Sequence, residues 1–273
     1  MDKITDISKL EVITKEIRRG IVESVYKAKS GHPGGSLSIA ELMAVLYFNE
    51  MNVDESNPKW EERDRFVLSK GHCSPALYSC LAKRGFFSEE LLTTVRKINS
   101  NLQGHPEMNK IPGVDMTTGS LGQGLSVANG MAIAGKIDKK NYRIYTILGD
   151  GEIEEGQVWE AAMAASHYKL DNLCVIIDKN NLQIDGRTDC VMNSTPLDEK
   201  FKSFGFEVIT IDGNNILEIM KAFAKAKNIK NKPTCIIAET IKGKGVSFME
   251  DKVEWHGKAP NEEQYNQAME ELK

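Results

Sequence analysis

The stretch Ile144-Tyr145-Thr146-Ile147-Leu148-Gly149-Asp150-Gly151 decides the fold. A short apolar run breaks into a carboxylate held between two glycines. It reads as a buried strand ending in a tight turn, where glycine lets the backbone bend and a ligand come close. The same grammar recurs at 173–177, which runs into Asp178-Lys179-Asn180. Further strand-like runs lie at 66–68, 208–211 and 235–238. Helical patterning separates most of them, at 76–83, 121–137, 158–168, 196–204 and 216–227. This alternation predicts an α/β fold, with a mainly parallel, twisted sheet carrying helices on both faces.

Working outward, Leu10, Ile13, Ile17, Ile21 and Val25 recur at helical spacing and predict a first helix ending near Ser30-Gly31. Ser38-Ile39-Ala40-Glu41 has the form of a capping box that opens a second helix. Thr195-Pro196-Leu197-Asp198 suggests an N-cap followed by proline at the first helical position. The tail 261–273 reads as an exposed helix. No Pro/Gly/Ser-rich linker divides the chain, so one domain is expected over 1–273.

Composition excludes several classes. The balance of 35 basic against 39 acidic residues, net −4, argues against a general nucleic-acid binder. Aromatics at 7% argue against a stacking surface for single strands. No apolar run approaches the ~18 residues of a membrane span, and the N-terminus has no apolar signal core. The five cysteines, Cys73, Cys80, Cys174, Cys190 and Cys235, are odd in number and lack CxxC spacing. They read as reduced thiols of a cytoplasmic protein, which sets zinc and disulfide frameworks aside.

The polar residues fall at the strand ends, as in Ser69-Lys70-Gly71-His72 and Asp212-Gly213-Asn214. In open α/β sheets ligands bind outside the carboxyl ends of the strands. Asp150 is a hard carboxylate suited to Mg²⁺, although a lone GDG is a common turn. Here 28 residues separate Gly151 from Asn180. One strand-helix-strand unit of that length puts both at neighbouring strand ends. A carboxylate, an amide oxygen and a nearby carbonyl fill half of an octahedral shell, which phosphate oxygens and water complete. Of five histidines, His32, His72, His105 and His256 stand beside glycines in loops, off any apolar stripe. A lone histidine is more often structural, but four in glycine-rich loops point to function. His167 falls on a predicted helix and is read as structural. Lys242-Gly243-Lys244-Gly245 lacks the spacing of a phosphate loop and reads as a mobile basic loop.

GDG followed at this spacing by Asn is the diphosphate-binding motif of thiamine-diphosphate enzymes, and the chain resembles the N-terminal, diphosphate-binding region of a transketolase. The resemblance rests on Ser30-Gly31-His32-Pro33-Gly34, Lys70-Gly71-His72, Gln103-Gly104-His105-Pro106-Glu107, Thr117-Thr118-Gly119-Ser120-Leu121-Gly122, Gly149-Asp150-Gly151 and Trp255-His256-Gly257, spread nearly end to end. The family more often has Asn at Lys70 and Pro at Ser120. The resemblance implies a thiamine-diphosphate-binding fold, with thiamine diphosphate and Mg²⁺ as cofactors. It places His32 and His105 on the sugar, and His72 and His256 on the cofactor diphosphate. Gly119 would contact the aminopyrimidine side, Leu121 the thiazolium, and Gly151 the diphosphate through its backbone. Asp150, Asn180 and the Leu182 carbonyl would hold Mg²⁺. Glu155 and Glu160 correspond to glutamates that link paired active sites, although a solvated helix N-terminus explains them as well. The segment 122–135, rich in Gly, Ala and Ser, reads on its own as a closely packed core helix, and the resemblance starts it at the cofactor.

A full-length transketolase is more than twice as long. Its middle domain supplies the pyrimidine site, the activating glutamate and the arginines that clamp the substrate phosphate. The expected protein is therefore the N-terminal subunit of a split transketolase, two copies of each chain assembling, and the helical end at Lys273 favours this over an engineered fragment. With a C-terminal partner subunit it would move a two-carbon ketol unit between sugar phosphates. A deoxyxylulose-phosphate synthase-like or 2-oxo-acid dehydrogenase α-like subunit shares GDG and Asn, but the histidine set suits ketoses. A non-catalytic binding module would be expected to have lost Asp150, Asn180 or the histidines.

Overall fold

All five predicted strands form in the computed structural model, which describes residues 3–273. They are β1 (Arg65–Leu68), β2 (Ile144–Gly149), β3 (Leu173–Lys179), β6 (Glu207–Asp212) and β7 (Thr234–Glu239). They pair in the order β1-β2-β3-β7-β6, parallel throughout. A two-stranded antiparallel hairpin, β4 (Leu182–Gln183) with β5 (Gly186–Arg187), follows β3 and leads into the one-turn helix α7 (Thr188–Val191).

The period of two along each strand builds two cores. Phe66, Tyr145, Ile147, Cys174, Ile176 and Ile236 enter one. Val67, Ile144, Leu148, Val175, Ile177 and Ile237 enter the other. The first is covered by α1 (Ile7–Ala28), α3 (Ala40–Val45), α4 (Ser74–Arg84) and α9 (Ile216–Asn228). The second is covered by α5 (Gln123–Ile137), α6 (Gly156–His167) and α8 (Leu197–Ser203). Burial on both faces explains why β2, β3 and β7 are almost continuously apolar, whereas the edge strand β6 is only half-buried. No described helix is long and apolar enough to cross a membrane.

Local readings fail where tertiary partners take over. The expected capping box at Ser38 does not form. A short helix, α2 (Pro33–Leu37), precedes α3, whose N-cap is Ile39 without a side-chain bond. Ser38 Oγ instead donates to Asp178 at 2.8 Å, and Glu41 pairs with Arg18 at 2.6 Å. Pro196 is the extended N-cap of α8, so it precedes the first helical position. The tail helix α10 (Glu262–Glu271) is not simply exposed. Ala268 and Leu272 are buried, and Tyr265 stacks on Tyr26 of α1 at 4.1 Å. All five cysteines are free, and only Cys190 is exposed.

Candidate active site

The carboxyl ends of β1, β2 and β3 open into a cavity of about 380 Å³. Its lining includes His32, His72, His105, Gly119, Leu121, Asp150, Gly151, Asn180, Leu182 and His256. Of the residues singled out in the sequence for the site, Glu155 and Glu160 lie outside it. α6 turns Val158, Ala161, Ala162 and Ala165 to the core, which leaves Glu155 and Glu160 exposed. A larger groove of about 630 Å³ runs along Ser56–Pro58 and Met108–Asp115, but no comparable set of titratable groups converges there.

The oxygen-donor end follows from strand register. Gly149 of β2 lies opposite Asp178 of β3, so Asp150 and Asn180 leave adjacent strands side by side. The Asp150 carboxylate accepts from the backbone N–H groups of Gly151 (3.0 Å) and Asn181 (2.6 Å). Burial, and then the nearby Asp178 carboxylate, raise its pKa to about 7. A carboxylate destabilised in this way gains from a cation. Asn180 donates through Nδ2 to Asp178 at 2.7 Å and accepts through Oδ1 from Leu182 N at 3.1 Å. Those two bonds fix which end of the amide is oxygen. The set is hard and oxygen-rich, which fits Mg²⁺ with phosphate oxygens completing the shell. Among the described residues no cluster of three His, Cys, Asp or Glu side chains could hold a metal by itself. A cation at the Leu182 carbonyl would also have to share it with Lys242 Nζ, 3.2 Å away.

Sequence reasoning missed the cations and carboxylates beneath the cavity. Asp178, wholly buried, accepts from Lys70 Nζ (2.6 Å), Ser38, Asn180 and Thr240. Burial alone would depress Lys70, but the Asp178 charge outweighs it and holds the ammonium above its usual range. Lys242 is also buried and shares a 2.9 Å bond with Nδ1 of His256. Burial, with Lys70 adding repulsion, brings its pKa down to about 8. The KGKG segment, expected as a mobile basic loop, is tied down at its start, with Lys242 buried and Gly243 N donating to Gly34 O at 2.9 Å. Glu152 gathers Ser69 Oγ, Gly122 N (3.0 Å) and Gly149 N (3.1 Å), tying together the ends of β1, α5 and β2. The signal available for Lys70 and Glu152 was their place in the strand-end motifs.

Three imidazoles cluster. His32 and His72 have ring centroids 5.0 Å apart, and His256 lies 5.4 Å from each. His105 lies against Gly119, whose φ of 151° and close approach to that ring, 3.1 Å from where a Cβ would sit, disfavour a side chain. His32, expected on the sugar, thus sits beside His72 and His256, expected on the cofactor. Burial first, then His72, Arg96, His105 and Lys242, lower His32 to about 4, and burial, then Lys242 and the other two imidazoles, lower His256 to about 3. Burial, then Lys70, lowers His72 to about 4. All are neutral near pH 7, so each offers one donor and one acceptor nitrogen.

Residues 10–272 match the family model described as transketolase, thiamine diphosphate binding domain. The chain belongs to the transketolase family. It is 45% identical over 266 residues to one of the apulose-4-phosphate transketolase subunits of Phocaeicola vulgatus, covering 97% of this chain and 94% of that protein. It is 49% identical over 256 residues to the 6-deoxy-6-sulfo-D-fructose transketolase subunit SqwG of a Clostridium species, covering 94% and 93%. The crystal structure of transketolase from Campylobacter jejuni superposes with a TM-score of 0.92 at 36% identity, covering 98% of this chain but 43% of that one. The transketolase-family chain thus matches those two subunits over nearly their whole length and spans under half of the Campylobacter jejuni transketolase chain.

Proposed function

We propose that this chain is the diphosphate-binding subunit of a two-subunit transketolase, working in the cytoplasm with a partner that carries the pyrimidine-binding domain. The observation that carries the reading is the convergence, in one cavity, of Asp150, Asn180, the Leu182 carbonyl, two buried lysines and four imidazoles. The rim of that cavity is formed by the exposed apolar side chains of Leu121 and Ile184. Such a rim suits a hydrophobic ring and a covering protein surface. Thiamine diphosphate, when bound, supplies the carbon nucleophile for transfer of a two-carbon ketol unit between sugar phosphates.

The chain's own residues bind and orient. Asp150, Asn180 and the Leu182 carbonyl would hold Mg²⁺, and Gly151 would let the backbone approach the diphosphate. Lys70, Lys242, His72 and His256 line the same cavity and would face that anion. Leu121 would meet the thiazolium, and Gly119 would border the aminopyrimidine side. His32 and His105 present neutral imidazoles to sugar hydroxyls and can pass a proton between them. Glu155 and Glu160, exposed on α6, are assigned to contact with a second copy, in an assembly holding two of each chain.

The test is reconstitution. This chain alone, with Mg²⁺ and thiamine diphosphate, is expected to transfer no ketol unit, and addition of the partner should restore transfer from a ketose phosphate such as xylulose phosphate but not from pyruvate. Robust transfer by the lone chain would overturn the reading. In the complex, Asp150→Ala should weaken thiamine-diphosphate affinity at least tenfold by calorimetry, as about 1.4 kcal/mol or more of charge-assisted binding is lost.

A further inference from the structure

We propose that Arg96 is a positioning residue for the donor sugar: its guanidinium clamps the loop that carries His32 to the loop that carries His105. The proposal rests on the reading of those two histidines as sugar contacts.

Arg96 has a backbone φ of 61°, in the left-handed region that long side chains rarely adopt. Such strain persists only where the surroundings enforce it, and it gathers at functional sites. Here the enforcing bond runs from Arg96 N to Leu102 O at 2.8 Å, and it folds residues 96–102 into a tight loop. The side chain reaches both histidine loops. Nη1 donates to Ser30 Oγ at 3.2 Å, two residues before His32. A Cβ built on Gly104, the residue before His105, would fall 2.9 Å from Cζ, 2.9 Å from Nη2 and 3.1 Å from Nε. Near-equal distances to three guanidinium atoms mean that the glycine faces the plane of the group. Gly104 itself is fixed, because its carbonyl accepts from Ser74 Oγ at 2.9 Å and the preceding Gln103 carbonyl accepts from Tyr78 Oη at 2.9 Å. Glycine at 104 therefore makes room for the arginine head.

Among the described residues no carboxylate pairs with Arg96, so its charge acts on the site. After burial and His72, Arg96 is the next influence lowering His32, with His105 and Lys242 also facing that ring and His256 beside it. Burial, His72 and then Arg96 lower His105. A planar fork can bridge two loops and lie on a glycine, whereas an ammonium is a point charge. Arginine and lysine are thus separable here.

The experiment uses the assembled two-chain enzyme for kinetics and isotope-labelled imidazoles for NMR titration. Arg96→Met should raise donor KM about tenfold, leave thiamine-diphosphate affinity within about twofold, and move the titrations of His32 and His105 upward. Arg96→Lys should keep the titrations low but still raise KM, because the bridge is lost. Gly104→Ala should reproduce the KM increase by displacing the guanidinium, and it covers the case of an Arg96 variant that fails to fold. An unchanged donor KM in Arg96→Met or in Gly104→Ala overturns the proposal. So does an equal loss of donor and cofactor affinity, which would mark Arg96 as scaffold only, and so do unmoved imidazole titrations in Arg96→Met. Failure of the functional reading shows separately, as a wild-type complex without ketol transfer, and the titrations then still decide the clamp.

Discussion

His32, His72 and His256 lie within 5.0–5.4 Å of one another and share their cavity with two lysines, so protonating any of them meets positive charge at close range. The consequence is a pH dependence with a definite sign. An unfolded histidine titrates near 6.5, whereas folded His72 titrates at about 4. Above pH 6.5 both states are neutral and nothing is lost. Between those values the unfolded chain binds more protons, so stability falls as pH falls, and the loss is complete near the folded value. Each pK unit is worth about 1.4 kcal/mol before solvent screening, and His72 is only half-buried by exposure, so its share is about 1–2 kcal/mol. Urea unfolding of the lone chain should show the wild type losing more stability than His72→Gln between about pH 7.5 and about pH 5, by that amount. Equal losses in the two proteins would remove His72 from the account. The histidines were legible in the sequence because glycine neighbours set them off from apolar stripes. Lys70 and Lys242 were not, because a buried lysine runs against its ordinary preference until its partner is known. For Lys70 that partner is Asp178, brought in from another strand.

At the scale of elements, strands and long helices were legible and their ends were less so. Apolar runs over 144–148 and 173–177, short and rich in β-branched residues, suit a covered sheet, and they pair there. The capping box at Ser38 misled because Asp178 and Arg18, both distant in sequence, outbid the local bonds. The helix read from 122–135 is packed on one side only. Leu125, Ala128, Ala132 and Gly135 are buried, whereas Gly130, Ala134 and Ile137 are exposed, and Met163 of the adjoining α6 is exposed as well. An exposed face of small and apolar residues suits close contact with another chain. Gly130 separates the two demands. A Cβ there meets nothing within 4 Å, so Gly130→Ala should stabilise the lone chain by about 0.5–1 kcal/mol through helix propensity. Gly130→Arg should also stabilise the lone chain, yet weaken assembly with the partner at least tenfold by ultracentrifugation if this face is covered. Assembly indifferent to the arginine would place the interface elsewhere.

For the whole molecule, the cavity is deep and polar at one end and shallow and apolar at the other. Asp150, Asn180, Lys70 and Lys242 are all nearly or fully buried, whereas Leu121 is 37% exposed and Ile184 is 65% exposed. A ligand should therefore draw its affinity for this chain from its anionic end. Inorganic pyrophosphate with Mg²⁺ presents that end alone, and thiamine diphosphate adds rings that meet only the open rim. A ligand that binds only the folded state stabilises it by RT ln(1 + [L]/Kd), about 2.7 kcal/mol at a hundredfold excess over Kd, so thermal shifts report both affinities on one scale. On the lone chain the two ligands should have Kd values within about threefold of each other. On the proposed reading, a partner that covers Leu121 and Ile184 should tighten thiamine diphosphate about a hundredfold, or about 2.7 kcal/mol, while pyrophosphate changes little. The difference measures what the second chain contributes to holding the rings. If the lone chain already preferred thiamine diphosphate over pyrophosphate by a hundredfold, the ring site would lie within these 273 residues, and the division of the cofactor between two chains would be wrong.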